Sequence, residues 1–241
     1  MEFVRNDNDR GLLRPPERYE QAVLDADDAL RLVRIQEEFL RGFRKLAGLG
    51  PAVTLFGSAR LPQDHPDCVA AYEVAYRLGK EGLAIVTGGG PGIMEAANRG
   101  AKEAGTISVA ANIQLPFEST PNPYQDISLT FRYFFIRKVM LVKYARAFII
   151  FPGGFGTLDE LFEVLTLIQT EKVSPMPILL YRSSYWQDLV KWINAQLLAE
   201  RCISPKDLDL FRIVDSVDEA VEGVIQPLTA AGTLPVPPAA G

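Results

Sequence analysis

The stretch Phe148-Ile149-Ile150-Phe151-Pro152-Gly153-Gly154-Phe155-Gly156-Thr157-Leu158-Asp159-Glu160 constrains the fold more than any other part of the chain. A continuous apolar run breaks into glycines and reopens as an amphipathic segment with Leu161, Leu165 and Ile168 on one face. That pattern reads as a buried parallel strand, a tight loop and a helix N-terminus. Gly153, Gly154 and Gly156 are expected to take positive φ and to admit a ligand where a Cβ would block it. The orphan N–H groups of the helix's first turn form an anion site. Asp159 and Glu160 stand beside it, which a pure phosphate cradle does not need. A second reading fits the same residues: Thr157 with Glu160 three positions later spells a capping box, and acids favour a first helical turn without doing any chemistry.

Two more strand-like runs end in small residues. Ala52–Phe56 leads into Gly57-Ser58-Ala59-Arg60, and Leu83–Thr87 into Gly88-Gly89-Gly90-Pro91-Gly92-Ile93-Met94-Glu95. Further strands are expected over 106–111, 127–133, 147–151, 176–181 and 211–214. Helices are expected over 67–80, 91–104, 134–144, 185–200 and 217–225. Strands alternating with helices predict a single α/β domain: a Rossmann-like, doubly wound parallel sheet with helices on both faces. Ligands in such sheets bind outside the carboxyl ends of the strands, where three glycine-bearing turns would converge on a nucleotide-sized site. We expect an N-terminal arm and helix over residues 1–50, with the helical pattern spanning Glu17–Leu46. The nucleotide-binding domain would cover 51–226, and a Pro/Ala/Gly tail 227–241. The proline-bearing segment 112–126 reads as an active-site loop.

Composition removes several function classes. A net charge of −5 with no basic stripe argues against nucleic acid; Arg31–Lys45 interleaves acids with its bases and reads as a solvated helix face. His65 is the only histidine, and Cys68 and Cys202 are the only cysteines, so neither a metal site, a disulfide framework nor a Ser/His/Asp triad is expected. No apolar run reaches membrane length and no signal peptide is evident, which suits a reduced cytoplasm. The turns match neither the P-loop pattern nor, given Pro91, the dinucleotide fingerprint.

The segments Gly88–Asn98, Arg137-Lys138-Val139-Met140 and Pro152–Glu160 together resemble the LOG family. These are cytokinin-activating nucleoside 5′-monophosphate phosphoribohydrolases, long mislabelled "lysine decarboxylase". The resemblance covers about Ala52 to Ile225 and is closer to an extended form with an added N-terminal helix. It implies Glu160 and Arg137 as catalytic groups, and a phosphate turn of Gly153, Gly154, Gly156 and Thr157. It also implies ribose and base contacts from Gly88, Gly89, Met94 and Glu95, and a strand-end Ser58 near the phosphate. The implied reaction hydrolyses the N-glycosidic bond of AMP or an N6-substituted AMP, with no cofactor, in a homo-oligomer. A non-catalytic nucleotide or molybdenum-cofactor carrier on the same fold is the alternative. Plainer roles stand beside these: Arg137 and Lys138 as a solvated face, Glu95 as an ordinary helix acid, Met94 and Met140 as core filler.

Overall fold

The computed structural model describes residues 9–13, 26–115 and 121–234. The outer parts of the expected arm and tail, residues 17–25 of the expected first helix, and residues 116–120 of the loop lie outside them. The helices are α1 (Asp9–Leu12), α2 (Ala26–Leu46), α3 (Pro66–Lys80), α4 (Ile93–Ala104), α5 (Phe134–Lys143), α6 (Phe155–Gln169), α7 (Ser183–Trp192) and α8 (Val217–Ala230). The strands are β1 (Ala52–Phe56), β2 (Ala84–Thr87), β3 (Ser108–Ile113), β4 (Ile127–Phe131), β5 (Ala145–Ile150), β6 (Ile178–Tyr181) and β7 (Arg212–Val214). They form one sheet in the order β4-β3-β2-β1-β5-β6-β7, and every pairing is parallel. The chain therefore runs outward from β1 to β4, then returns to lay β5 against β1. That reversal is the switch point at which open α/β sheets bind ligands.

The apolar runs are explained by burial on both faces. All of β1 and β2 is buried. Along β5 the side chains alternate: Phe148 and Ile150 join one core with Phe56, Phe131 and Trp186, whereas Ala147 and Ile149 join another with Leu55, Val74 and Ile85. The register Phe56↔Ile150 brings the carboxyl ends of β1 and β5 level.

Several boundaries differ from expectation. The helix expected over 185–200 is α-helical only to Trp192 and continues as a π-helix over Ile193–Leu198. A 3₁₀ helix, Pro205–Leu210, starts at a reciprocal capping box of Ser204 and Asp207. Pro227 does not begin a tail. It lies inside α8, where buried Leu228 anchors the last turn although Pro227 has no N–H to bond the preceding turn.

Met140 is the core filler that one reading proposed: it is 1% exposed, and its Sδ would lie 2.7 Å from a Cβ placed at Gly42. Helix α2 thus packs on α5, with Phe39 and Phe135 rings 6.2 Å apart. Buried Glu38 accepts the Arg132 N–H at 3.1 Å. Leu30, Val33 and Leu40 on α2, and Phe134, Phe135 and Val139 on α5, remain exposed. No helix among the described residues is long and apolar enough to cross a membrane.

Candidate active site

Ser58 stitches the three turns together. Its N–H donates to Pro152 O at 2.9 Å, tying β1's end to the turn after β5. Its carbonyl accepts from Ile93 N at 3.1 Å, tying it to the turn after β2. Its side-chain oxygen accepts from Arg60 N. A Cβ on Gly92, which sits at φ +66°, would lie 2.4 Å from Ser58 O. Only glycine permits both that φ and that approach.

The turn after β2 is built from beneath. A Cβ at Gly88 would fall 2.2 Å from Arg137 Nη2 and 2.9 Å from Met94 Sδ. The guanidinium therefore lies directly on this glycine, while its Nε–H donates to Ala111 O at 2.8 Å. Gly89, at φ +77°, leaves its missing Cβ's place to Asn112 Oδ1. A buried amide network holds the turn: Asn122 Nδ2 donates to Gly89 O and Asn98 Oδ1, Gln125 donates to Gly89 O, and Thr87 Oγ1 accepts from Gly89 N. Of the side chains in this network sequence reading singled out only Asn98, as part of a motif. Asn112 lies near the end of β3, and Asn122 and Gln125 come from the loop after it, where nothing local marks them.

The turn after β5 differs. Helix α6 is N-capped by Gly154, with no side-chain cap and no acid in its first turn. The capping-box reading of Thr157 and Glu160 is therefore wrong, because Glu160 lies beyond the first turn. Thr157 Oγ1 instead occupies the space where a Gly153 Cβ would be, 2.1 Å away, with Ser58 N at 3.0 Å from the same point. Thr157 and Leu158 N–H groups both return to Gly154 O. Those of Phe155 and Gly156 have no intrahelical acceptor. Gly153, Gly154 and Gly156 do not have positive φ, contrary to expectation. A Cβ at Gly154 or Gly156 would meet nothing within 4 Å.

Two charged groups accompany the turns, Arg137 on α5 and Glu160 on α6. Glu160 is 6% exposed. Burial pushes its carboxyl up to about 7, against the lowering pull of Arg137 and Lys138. Burial likewise draws the Arg137 guanidinium down from its ordinary value, opposed by Glu160 and Asp159. The two sense each other's charge, yet among the described residues no contact ion pair joins them. Lys138 is no solvated lysine: its Nζ lies 2.8 Å from both Asp159 Oδ1 and Glu163 Oε2, flanking Glu160. Glu95 is half-buried at the start of α4, and its charge is felt at Cys68. No described ion pair brings it to Arg137. His65, the sole histidine, caps α3 by accepting from Asp67 N at 3.2 Å. Among the described residues no three His, Cys, Asp or Glu side chains gather to hold a metal ion.

Residues 94–224, more than half of the chain, match the family described as "Possible lysine decarboxylase". The chain belongs to this family, the LOG family. Among curated LOG relatives, a rice cytokinin riboside 5′-monophosphate phosphoribohydrolase is 35% identical over 103 residues, 42% of either chain. An Arabidopsis thaliana cytokinin riboside 5′-monophosphate phosphoribohydrolase is 30% identical over 157 residues, covering 64% of this chain and 72% of the relative. The Escherichia coli K12 pyrimidine/purine nucleotide 5′-monophosphate nucleosidase is 29% identical over 170 residues, 65% of this chain and 37% of that protein. The chain spans about half the length of the rice relatives it matches. The molybdenum cofactor carrier protein of Chlamydomonas reinhardtii has the same fold, with a TM-score of 0.54, 21% identity and coverage of 75% and 99%. So has the molybdenum cofactor binding protein of Rippkaea orientalis, with a TM-score of 0.51, 23% identity and coverage of 76% and 96%.

Proposed function

We propose that the protein hydrolyses the N-glycosidic bond of purine nucleoside 5′-monophosphates, AMP or an N6-substituted AMP, giving free base and ribose 5-phosphate. The observation that supports this reading is Glu160: a buried carboxyl on α6 with its pKa moved to about 7, which feels the charge of the Arg137 guanidinium that packs on the glycine turn after β2. A carrier needs the glycine turns but has no use for such an acid, whose burial costs stability.

In the proposed reaction the α6 N-terminus, with Gly153, Gly154, Gly156, Thr157 and Ser58, holds the 5′-phosphate. Gly88, Gly89, Met94 and Glu95 line the ribose and base side. As the C1′–N bond breaks, positive charge develops on the ribose. The Glu160 carboxylate stabilises it and takes a proton from the water whose oxygen bonds to C1′. The departing base leaves with the bonding electron pair and gains a proton. Arg137 grips the phosphate or neutralises charge on the leaving base. We further propose a cytoplasmic homo-oligomer, at least a dimer, joined through the exposed apolar groups of α2 and α5. Light scattering that gives only the 26.6 kDa monomer at micromolar concentration would contradict the assembly.

The test is a panel of nucleotides and nucleosides, with released base detected by chromatography. AMP is expected to be cleaved and adenosine not, because phosphate binding positions C1′ against the carboxylate. Comparable turnover of both would sink the proposal, as would AMP binding without base release.

A further inference from the structure

The turn after β5 contains one hydrogen bond that neither the family match nor the catalytic pair explains. Tyr185, two residues into α7, donates from its hydroxyl to Gly153 O at 2.6 Å. The Gly153–Gly154 peptide is trans, since no cis bond occurs among the described residues. In a trans peptide the carbonyl oxygen and the next N–H point to opposite sides of one plane. Holding the Gly153 oxygen therefore also fixes the direction of the Gly154 N–H. A peptide between two glycines has the fewest steric restraints of any and flips most readily. Turned over, it would aim its carbonyl oxygen where an anion is to sit.

The tyrosine is itself well braced although its side chain is partly exposed. Its ring meets Trp186, which is 1% exposed, edge to face with centroids 4.9 Å apart. The Arg182 guanidinium lies over the ring, 5.6 Å from its centroid. That arginine is anchored 3.1 Å from the buried Asp67 carboxylate. Arg182 also takes φ +79°, ψ 98° at the end of β6, a conformation that costs a non-glycine residue about 1–3 kcal/mol and that the surroundings must impose.

We propose that Tyr185 is a positioning residue of the phosphate site, holding the Gly153–Gly154 peptide in the orientation that presents its N–H to a sugar 5-phosphate. This rests on the reading of that turn as the phosphate site, and it adds a residue 32 positions downstream that lies outside the signature motif. Asp67 and Arg182 act through Tyr185 and not on the ligand.

The experiment measures ribose 5-phosphate binding by calorimetry on wild type and Tyr185→Phe, with melting temperature and AMP kinetics alongside. Losing one hydrogen bond and repopulating a flipped peptide should raise the Kd roughly three- to tenfold. KM for AMP should rise with it, kcat should change less, and the melting temperature should move by under about 3 °C. A Kd within twofold of wild type overturns the proposal. So does a loss of binding that comes with a fall in melting temperature above about 5 °C, since that is general loosening of the fold. A wild type that fails to bind ribose 5-phosphate overturns both this and the phosphate-site reading. A wild type that binds it tyrosine-dependently but releases no base from AMP defeats only the hydrolase reading.

Discussion

The two glycine turns look alike in sequence and are built on opposite principles. In the turn after β2, each missing Cβ is replaced by a group of the protein itself: Arg137 on Gly88, Asn112 on Gly89, Met94 on Gly90 and Ser58 O on Gly92. In the turn after β5, only Gly153 is filled in this way, by Thr157. Gly154 and Gly156 have neither positive φ nor a neighbour within 4 Å. The fold gives no steric reason for glycine at those two positions; the proposed function supplies one, the approach of a ligand phosphate. One turn uses its glycines to seat the Arg137 guanidinium and other groups of the protein; on the proposed function, the other keeps them for ligand contact.

The largest expected effect tests whether chemistry sits between the turns. Glu160→Gln keeps size and shape but removes the charge, and turnover of AMP should fall by roughly 10²–10⁴-fold. Calorimetric AMP binding should persist, because the α6 N–H donors are untouched. In the wild type, kcat/KM should rise with pH through an apparent pKa near the Glu160 value of about 7, since the carboxylate is the active form. Wild-type turnover in the Gln variant would remove Glu160 from the mechanism and leave the turns as a binding device.

The same acid predicts an effect on stability with a definite sign. Its folded pKa of about 7 lies above the ordinary 4.5. Between those values the folded protein binds a proton that the unfolded chain releases, so stability falls as pH rises across that window and stays lower above it. The full difference is about 3 kcal/mol. Glu160→Gln should therefore be more stable than wild type by a few kcal/mol at pH 8, and nearly equal to it at pH 4.5. Denaturant titrations at the two pH values check this. A Gln variant that is less stable at pH 8 would mean that Arg137 needs the charge more than burial opposes it.

The strands were legible because a strand buried on both faces is written as a plain apolar run, as in Ala52–Phe56 and Phe148–Ile150. Convergence of the turns followed from parallel topology, without any knowledge of contacts. What escaped depends on partners distant in sequence. Lys138 reads as a surface lysine until Asp159 and Glu163 arrive from α6. The amide network joins Thr87 and Asn98 to loop residues more than 20 positions on. The capping-box reading of Glu160 failed because the N-cap is Gly154, not Thr157, and no spacing rule distinguishes the two. Pro227 misled because burial of Leu228 outweighs one lost backbone bond.

Glycine-to-alanine exchange separates the two turns directly. Gly92→Ala must place a Cβ 2.4 Å from Ser58 O at φ +66°. It should cost at least about 2 kcal/mol, and binding should be lost together with stability.

Gly156→Ala should do the reverse. The residue lies in the first turn of α6 with open space at its Cβ position. Alanine there lowers the entropy of the unfolded chain and favours helix, so stability should rise by about 0.5–1 kcal/mol. On the proposed function the same methyl group would stand where the phosphate approaches the Phe155 and Gly156 N–H donors, and KM for AMP should rise by about tenfold, or 1.4 kcal/mol. Gain of stability with loss of affinity is the signature of a residue kept for a ligand. If Gly156→Ala gained stability and kept its KM, the open side of this turn would not be the phosphate site, and the contrast between the turns would lose its functional meaning. If instead it lost stability, the helix start would be strained in a way that the open surroundings of Gly156 do not show.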